Sequence, residues 1–302
     1  MHALRRRNAA RFTLTKYPMT FSQILILAIV QGTCELLPVS SSAHVIMVEK
    51  LMGLDPTAPE MTFLLVMLHT GTMLAVIIYF WSAWRERYFI SNDAFWRIAK
   101  LVTVATALTG GVGLALLVII ERFQMRGSAH AEIEQLFGNP YLIAAGLGTV
   151  GLMIVLSGKR EAALQGQGAV GLTEAAWIGA VQGLCLPFRG FSRSGSTIST
   201  GLFLGLDKSR VEEFSFALAV VLTPAAIVKE AYRLLKANQE LLTSTGSVLQ
   251  LAWPSLLGMT FSFLAGLVAL RWLSRWLEHD RWHRFGYYCL FASIVVLTLG
   301  TQ

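Results

Sequence analysis

An all-α polytopic membrane protein is the fold class this sequence predicts, and three observations predict it. Only 14% of its 302 residues are charged, against 54% apolar, where a soluble domain carries about 25% charge. Several long stretches contain no Asp, Glu, Lys or Arg. Two further apolar stretches are each broken by a proline and a cluster of serines, and they resemble one another. The mean hydropathy of +0.57 agrees. Too little polar surface is available to clothe a water-soluble globule, so cytosolic enzymes, disordered chains and fibrous proteins are excluded. A net charge of +7 would suggest nucleic acid in a soluble protein. Basic loops are what a membrane surface requires, and no nucleic-acid partner is expected. Cys34, Cys185 and Cys289 lie in apolar runs, and their odd number argues against a disulfide framework.

A helix needs about 20 apolar residues to cross the hydrocarbon. Met61–Trp81, Leu101–Ile120, Pro140–Ser157, Leu251–Leu270 and Phe285–Gln302 are free of charge, and Phe214–Val228 is a shorter run whose flanking Lys229, Glu230 and Arg233 can snorkel. These are six predicted transmembrane helices. Phe21–Leu37 instead meets Pro38 and Ser40-Ser41-Ser42 before apolar character resumes to about Leu51. Ala175–Phe188 likewise runs into Arg189, Gly190 and Ser192 to Gly195 before Thr197–Leu206. Proline followed by serine or glycine ends one helix and starts another. Each region reads as a re-entrant hairpin of two half-helices, tolerable at membrane depth only where it lines a cavity.

Charge sets the orientation. With Met61–Trp81 running outside to inside, segments 82–100, 158–172, 207–213 and 271–284 fall inside and hold twelve Lys/Arg, against five in 121–139 and 229–250. That is the positive-inside distribution, and it makes the first hairpin enter from outside and the second from inside. The basic leader 1–18, with Arg5, Arg6, Arg7, Arg11 and Lys16, is then placed outside against the rule. It has no small-residue cleavage pattern after it and reads as a non-native or over-extended start, with Met19 as the initiator. The remainder, 19–302, is a single membrane domain.

That domain contains a repeat. Val30-Gln31-Gly32-x-Cys34 recurs as Val181-Gln182-Gly183-x-Cys185, and at the same spacing Ser41 meets Ser192. Three spans follow each hairpin, an odd number that turns the second copy over. The expectation is an inverted-topology repeat of about 19–157 and 172–302, an arrangement in which broken helices meet near the midplane.

The polar residues of the hairpins carry the chemistry. Glu35 lies one helical turn after Gln31, on the same face, and an intramembrane carboxylate costs about 2.5–3.5 kcal/mol. It is either functional or paired with an arginine. Ser40, Ser41 and Ser42 start the second half-helix, where free N–H groups favour phosphate, and His44 follows as a potential acid or base. Ser40 serves equally well as a cap. In the second hairpin Arg193, flanked by Ser192 and Ser194 and followed by Gly195 and Thr197, offers a guanidinium fork suited to phosphate oxygens. Arg189 either joins it or pairs with Glu35. His69 reads as core packing in preference to catalysis. The expected catalytic set is Glu35, Ser41, His44 and Arg193. Ser40, Ser42, Ser192, Ser194, Gly195, Thr197 and Arg189 are expected to bind substrate, and Glu35 with Gln31 a divalent cation. The ligand these groups suit is a lipid-borne phosphate or diphosphate.

Gln31-x-x-x-Glu35, then Pro38-Val39-Ser40-Ser41-Ser42-Ala43-His44, and Gly190-Phe191-Ser192-Arg193-Ser194-Gly195-Ser196-Thr197 resemble the motifs of the bacterial undecaprenyl-diphosphatases, the bacitracin-resistance family. The resemblance covers Met19 to Gln302. It implies hydrolysis of undecaprenyl diphosphate to undecaprenyl phosphate and inorganic phosphate, which recycles the carrier lipid for peptidoglycan synthesis. It also implies Mg²⁺ or Ca²⁺ as cofactor, a multi-pass protein of the bacterial inner membrane, and a site open to the periplasmic side. Undecaprenyl diphosphate and membrane lipid are the expected partners, with a homodimer left open. Gln31 stands where many members have Glu. Ser42-Ala43-His44 mimics part of the type-2 phosphatidic acid phosphatase element. That superfamily needs a histidine soon after its Ser-Arg, and none follows Arg193 until His279. A polyprenyl-phosphate transporter is the alternative function. It needs the arginine but not the Ser/His/Glu trio.

Overall fold

The computed structural model describes residues 19–54, 59–124, 139–164, 166–188, 190–237 and 245–300. The leader 1–18 and Arg189 lie outside the described residues. Ten α-helices are found among those described: α1 (Phe21–Leu36), α2 (Ser41–Leu51), α3 (Pro59–Tyr88), α4 (Asn92–Gln124), α5 (Pro140–Leu164), α6 (Leu172–Cys185), α7 (Arg193–Phe203), α8 (Lys208–Ala237), α9 (Thr245–Glu278) and α10 (Trp282–Gly300). Two short helices followed by three long ones thus occur twice.

Four helices contain windows long and apolar enough to cross a bilayer: Phe63–Tyr88, Asn92–Ile120, Pro140–Arg160 and Trp253–Glu278. The chain is a polytopic helical membrane protein. Of the other two sequence-predicted spans, Phe214–Val228 falls within α8 and residues 285–300 of the last fall within α10, continuous helices of 30 and 19 residues, which at 1.5 Å per residue extend about 45 and 28 Å; the last two residues of that span lie outside the described residues. The helices outrun the charge-free runs that announced them, because charged residues such as Arg85, Arg87, Lys208 and Arg210 continue the helical turns beyond the apolar stretch.

The two short pairs form where the sequence breaks. A capping box closes the start of α1, with Gln23 N donating to the Thr20 hydroxyl at 3.3 Å and Thr20 N to Gln23 Oε1 at 2.9 Å. Pro38 has no N–H to continue the helix, and the chain turns through Leu37–Val39 into Ser40. The second pair turns after Cys185 through Leu186 and Pro187, and Ser192 accepts from Gly195 N at 3.3 Å to cap α7.

The Val-Gln-Gly repeat has a packing cause. A Cβ on Gly32 would lie 2.6 Å from the Ser262 carbonyl oxygen of α9, and one on Gly183 would lie 2.9 Å from the Thr109 carbonyl oxygen of α4. Each copy of the motif lets a short helix of one half press its backbone against a long helix of the other. At the second crossing the Thr109 hydroxyl donates to Gly179 O at 2.9 Å, and beside the first the Ser262 hydroxyl ties α9 to α3 by donating to Leu68 O at 2.9 Å. Small residues at such contacts substitute for the hydrophobic drive that lipid removes. Gly32→Ala is expected to destabilise the protein by about 1–3 kcal/mol through overpacking. Gly110→Ala, which lies inside α4 and meets nothing within 4 Å, should instead leave stability unchanged or raise it by up to about 1 kcal/mol, since alanine costs less backbone entropy in a helix. Thermal unfolding in detergent checks both.

The main core joins both halves, with Phe80, Trp84, Leu101, Ile198, Phe214, Phe216, Trp282 and Phe285 among its members. Trp84, Phe80 and Phe216 stack in succession, their centroids 5.8 and 5.3 Å apart. The buried Trp282 donates to Ser157 Oγ at 3.1 Å and Ser199 Oγ at 3.3 Å, tying α10 to α5 and α7. These contacts hold α7, and with it Arg193, in a fixed position.

Candidate active site

Residues of both halves converge on one carboxylate. Glu35 stands on the last turn of α1, where Gln31 Nε2 donates to its Oε2 at 3.2 Å. The Ser41 hydroxyl, on the first turn of α2, donates to the same Oε2 at 2.6 Å. From the second half, Arg193 Nη2 lies 4.0 Å from Glu35 Oε1. The Glu35 and Arg193 side chains are 22% and 23% exposed, so an anion can reach both.

Arg193 is held from three sides. Its guanidinium lies over the Phe216 ring, 5.6 Å from the centroid, at the end of the aromatic stack. Nη1 donates to Ser215 O at 3.4 Å. Its own carbonyl accepts from the Thr197 hydroxyl at 2.8 Å and the Ser196 hydroxyl at 3.0 Å. Thr197 in turn shares a 2.6 Å contact with Ser215 Oγ. Thr197 is fully buried; it braces the arginine and does not face the opening. A Cβ on Gly195 would meet Val150, Ile154 and Pro38 at 2.9–3.2 Å, so this glycine admits the first hairpin's turn and α5. The two turns are joined directly, since the Ser194 hydroxyl donates to Leu37 O at 3.3 Å.

Ser40 holds the left-handed φ of 66°, and its side chain makes no cap bond to α2. A non-glycine residue in that region stores strain, and such outliers gather at functional sites. Ser40 Oγ meets Ser42 Oγ at 3.5 Å. The capping role expected of Ser40 is thus absent, and the first-turn amides of α2 are left without that partner, in the arrangement helix N-termini use for phosphate.

His44 does not join this cluster. The shared face of positions 41 and 44 suggested a common cavity, but the imidazole Nδ1 donates to Ser40 O at 2.8 Å, and Nε2 then accepts from the Tyr288 hydroxyl at 2.6 Å. The ring also stacks on Tyr288, with centroids 5.8 Å apart. These bonds draw it toward α10 and an apolar cavity of about 210 Å³ lined by Ala43, Met47, Leu147 and Phe291.

His69 is the residue the sequence undervalued. Its Nδ1 donates to Leu65 O at 2.8 Å, and Nε2 stands 3.8 Å from Glu35 Oε2. Only a proton on Nε2 would give Glu35 a donor there. Its polar neighbours Thr70 and Gly71 were a signal, but the Thr70 hydroxyl is spent on Val66 O. Tyr288, Ser215 and Phe216 carried no sequence signal, because nothing in their spacing links them to either hairpin. Among the described residues no three His, Cys, Asp or Glu side chains cluster as a metal site. Glu35 is the one carboxylate in the cluster. For Gln31 to join it on a cation, the amide must turn so that its oxygen faces the carboxylate.

A family model described as bacitracin resistance protein BacA matches residues 24–295. The chain belongs to the BacA family. Within this family it is 57% identical to undecaprenyl-diphosphatase 2 of Acinetobacter baylyi over 285 residues, covering 94% of this chain and 99% of that protein. It is 31% identical to the undecaprenyl-diphosphatase of Rhodopirellula baltica over 93% of this chain and 98% of that one. The figure is 32% for the undecaprenyl-diphosphatase of Desulfosudis oleivorans, over the same 93% and 98%. The matched region contains every residue of the Glu35 cluster, so that cluster belongs to the part of the chain this BacA-family member shares with its relatives.

Proposed function

We infer that this chain is an integral membrane phosphatase that hydrolyses undecaprenyl diphosphate to undecaprenyl phosphate and inorganic phosphate. The convergence of Ser41 and Arg193, from opposite halves, on Glu35 is the observation that carries this reading together with the family. A diphosphate entering the cluster brings oxygens that draw Arg193 away from Glu35, since phosphate offers the guanidinium a two-pronged partner. The α2 amides left free by Ser40 bind a second phosphate edge. Glu35, already accepting the Ser41 proton at 2.6 Å, is the base that readies the Ser41 oxygen or a water beside it. With Nδ1 donating to Leu65 O, His69 can hold the same Glu35 oxygen only as the imidazolium. Arg193 stabilises the charge that grows on the transferred phosphoryl oxygens.

A divalent cation, Mg²⁺ or Ca²⁺, fits as a partner of the substrate. Mg²⁺ is commonly held by one or two carboxylates with the rest of its shell from phosphate and water, and Glu35 with Gln31 would supply that minimal set. When bound, the cation offsets diphosphate charge. His44 and Tyr288 lie on the rim of the apolar cavity beside α2, where the prenyl chain would leave the site.

The surrounding architecture is six transmembrane helices, α3–α5 and α8–α10, with α1–α2 and α6–α7 as re-entrant hairpins of an inverted repeat. The reciprocal Gly32 and Gly183 contacts support that repeat. The basic segments 82–100 and 271–284 face the cytoplasm, and the site opens outward from the bacterial inner membrane.

Purified protein in detergent, where transport has no readout, is expected to release one inorganic phosphate per undecaprenyl phosphate formed. A chelator should abolish release and added Mg²⁺ restore it. No release under any metal condition would leave the transporter reading in place.

A further inference from the structure

At the far end of α3 the protein holds a second, basic cavity. Arg87, Arg97 and Arg210 line a space of about 210 Å³ floored by Ile98, Leu101 and Phe214. From His69 to Arg87 the helix runs about 27 Å, so this cavity is remote from Glu35 whichever way the chain is threaded. Arg87 Nη1 is paired with Glu213 Oε1 at 2.9 Å. The carboxylate of Asp207 is engaged by the Ser209 hydroxyl at 2.7 Å and by the Arg210 backbone N–H at 3.1 Å. No ion pair joins the Arg97 or Arg210 side chain to a carboxylate among the described residues. All three arginines line this one cavity together with Tyr88.

Three cations against the two carboxylates of Glu213 and Asp207 leave one positive charge in excess over an apolar floor. Like charges gathered in this way repel, and an anion shared between them relieves the repulsion. The planar guanidinium matches phosphate oxygens in pairs. The apolar floor of Ile98, Leu101 and Phe214 suits a hydrocarbon stem attached to that phosphate, which a free ion lacks. Basic pockets between membrane helices are where anionic lipid head groups bind. We propose that this cavity is a second phosphate-binding site, separate from the hydrolytic one, that holds the head group of an anionic membrane lipid.

The experiment uses the purified full-length chain in detergent, with bound ligand counted by native mass spectrometry. Phosphatidylglycerol, phosphatidylcholine and inorganic phosphate are the three probes, and Arg97→Gln/Arg210→Gln is compared with the parent. The parent is expected to hold one phosphatidylglycerol in preference to phosphatidylcholine, and the double variant to bind it at least about tenfold more weakly, as loss of charge-assisted bonds requires. Hydrolysis of undecaprenyl diphosphate should be the same in both, which shows the variant folded and separates this proposal from the phosphatase reading. Should the double variant fail to fold, Arg97→Gln alone, at an exposed side chain with no ion pair, is expected to weaken phosphatidylglycerol binding measurably. Retention of inorganic phosphate but not phosphatidylglycerol would overturn the lipid assignment. Equal binding by parent and variant, or no preference over phosphatidylcholine, would overturn the site.

Discussion

Arg193→Lys is expected to lower the rate of phosphate release by at least about tenfold, or ~1.4 kcal/mol of transition-state stabilisation. The ammonium keeps the charge, but it loses the fork that serves two anchors at once. In the parent, Nη1 is spent on Ser215 O while Nη2 faces Glu35, and the planar group lies over Phe216. A lysine nitrogen can reach the anion or the Ser215 carbonyl, and it stacks poorly. The loss should appear in kcat at least as much as in KM, because the contact strengthens as charge develops. Near-normal turnover in Arg193→Lys would remove this arginine from catalysis.

Glu35→Gln is expected to lower kcat by about 10²–10⁴, the range for loss of a positioned base. The amide cannot take the Ser41 proton. The same change should raise the metal concentration needed for residual activity, since the one carboxylate of the cluster is gone. Ser41→Ala tests the pair: if Glu35 acts through the Ser41 oxygen, the double variant should be scarcely slower than either single one, because residues that act as a unit are not additive. Additive losses would place Glu35 on a water and leave Ser41 to bind substrate. Unchanged metal demand in Glu35→Gln would take the carboxylate out of cation binding.

Much of this site was legible in the chain, for a physical reason. A carboxylate or guanidinium inside an apolar stretch is expensive, so Glu35 and Arg193 stand out against a background that is 54% apolar. Broken helices are also legible, since Pro38 and the serines after it cannot continue a helix in lipid without another use. Helix lengths were less so. The charge-free window stopped at Trp81, whereas α3 continues to Tyr88, because helical hydrogen bonding does not end where polarity begins. The structure sets His69 beside Glu35 and His44 against Tyr288. Both back-bond to a carbonyl one turn earlier through Nδ1, and the direction of Nε2 depends on which neighbour packs there.

By itself the sequence determined the class of protein, the helical order, the two places where short helices break and the charged groups a phosphate would need. These follow from local terms: the cost of charge in hydrocarbon, the missing N–H of proline and the spacing of residues along one chain. Only the tertiary structure decided which polar groups meet. Glu35 and Arg193 are far apart in sequence and come together because Gly32 and Gly183 let the short helices cross into the opposite half, and because Phe216 supports the guanidinium from α8. The same packing turned His44 toward Tyr288 and brought His69 to Glu35. Contacts between distant segments depend on complementary shape across helix faces, and no one-dimensional spacing encodes that.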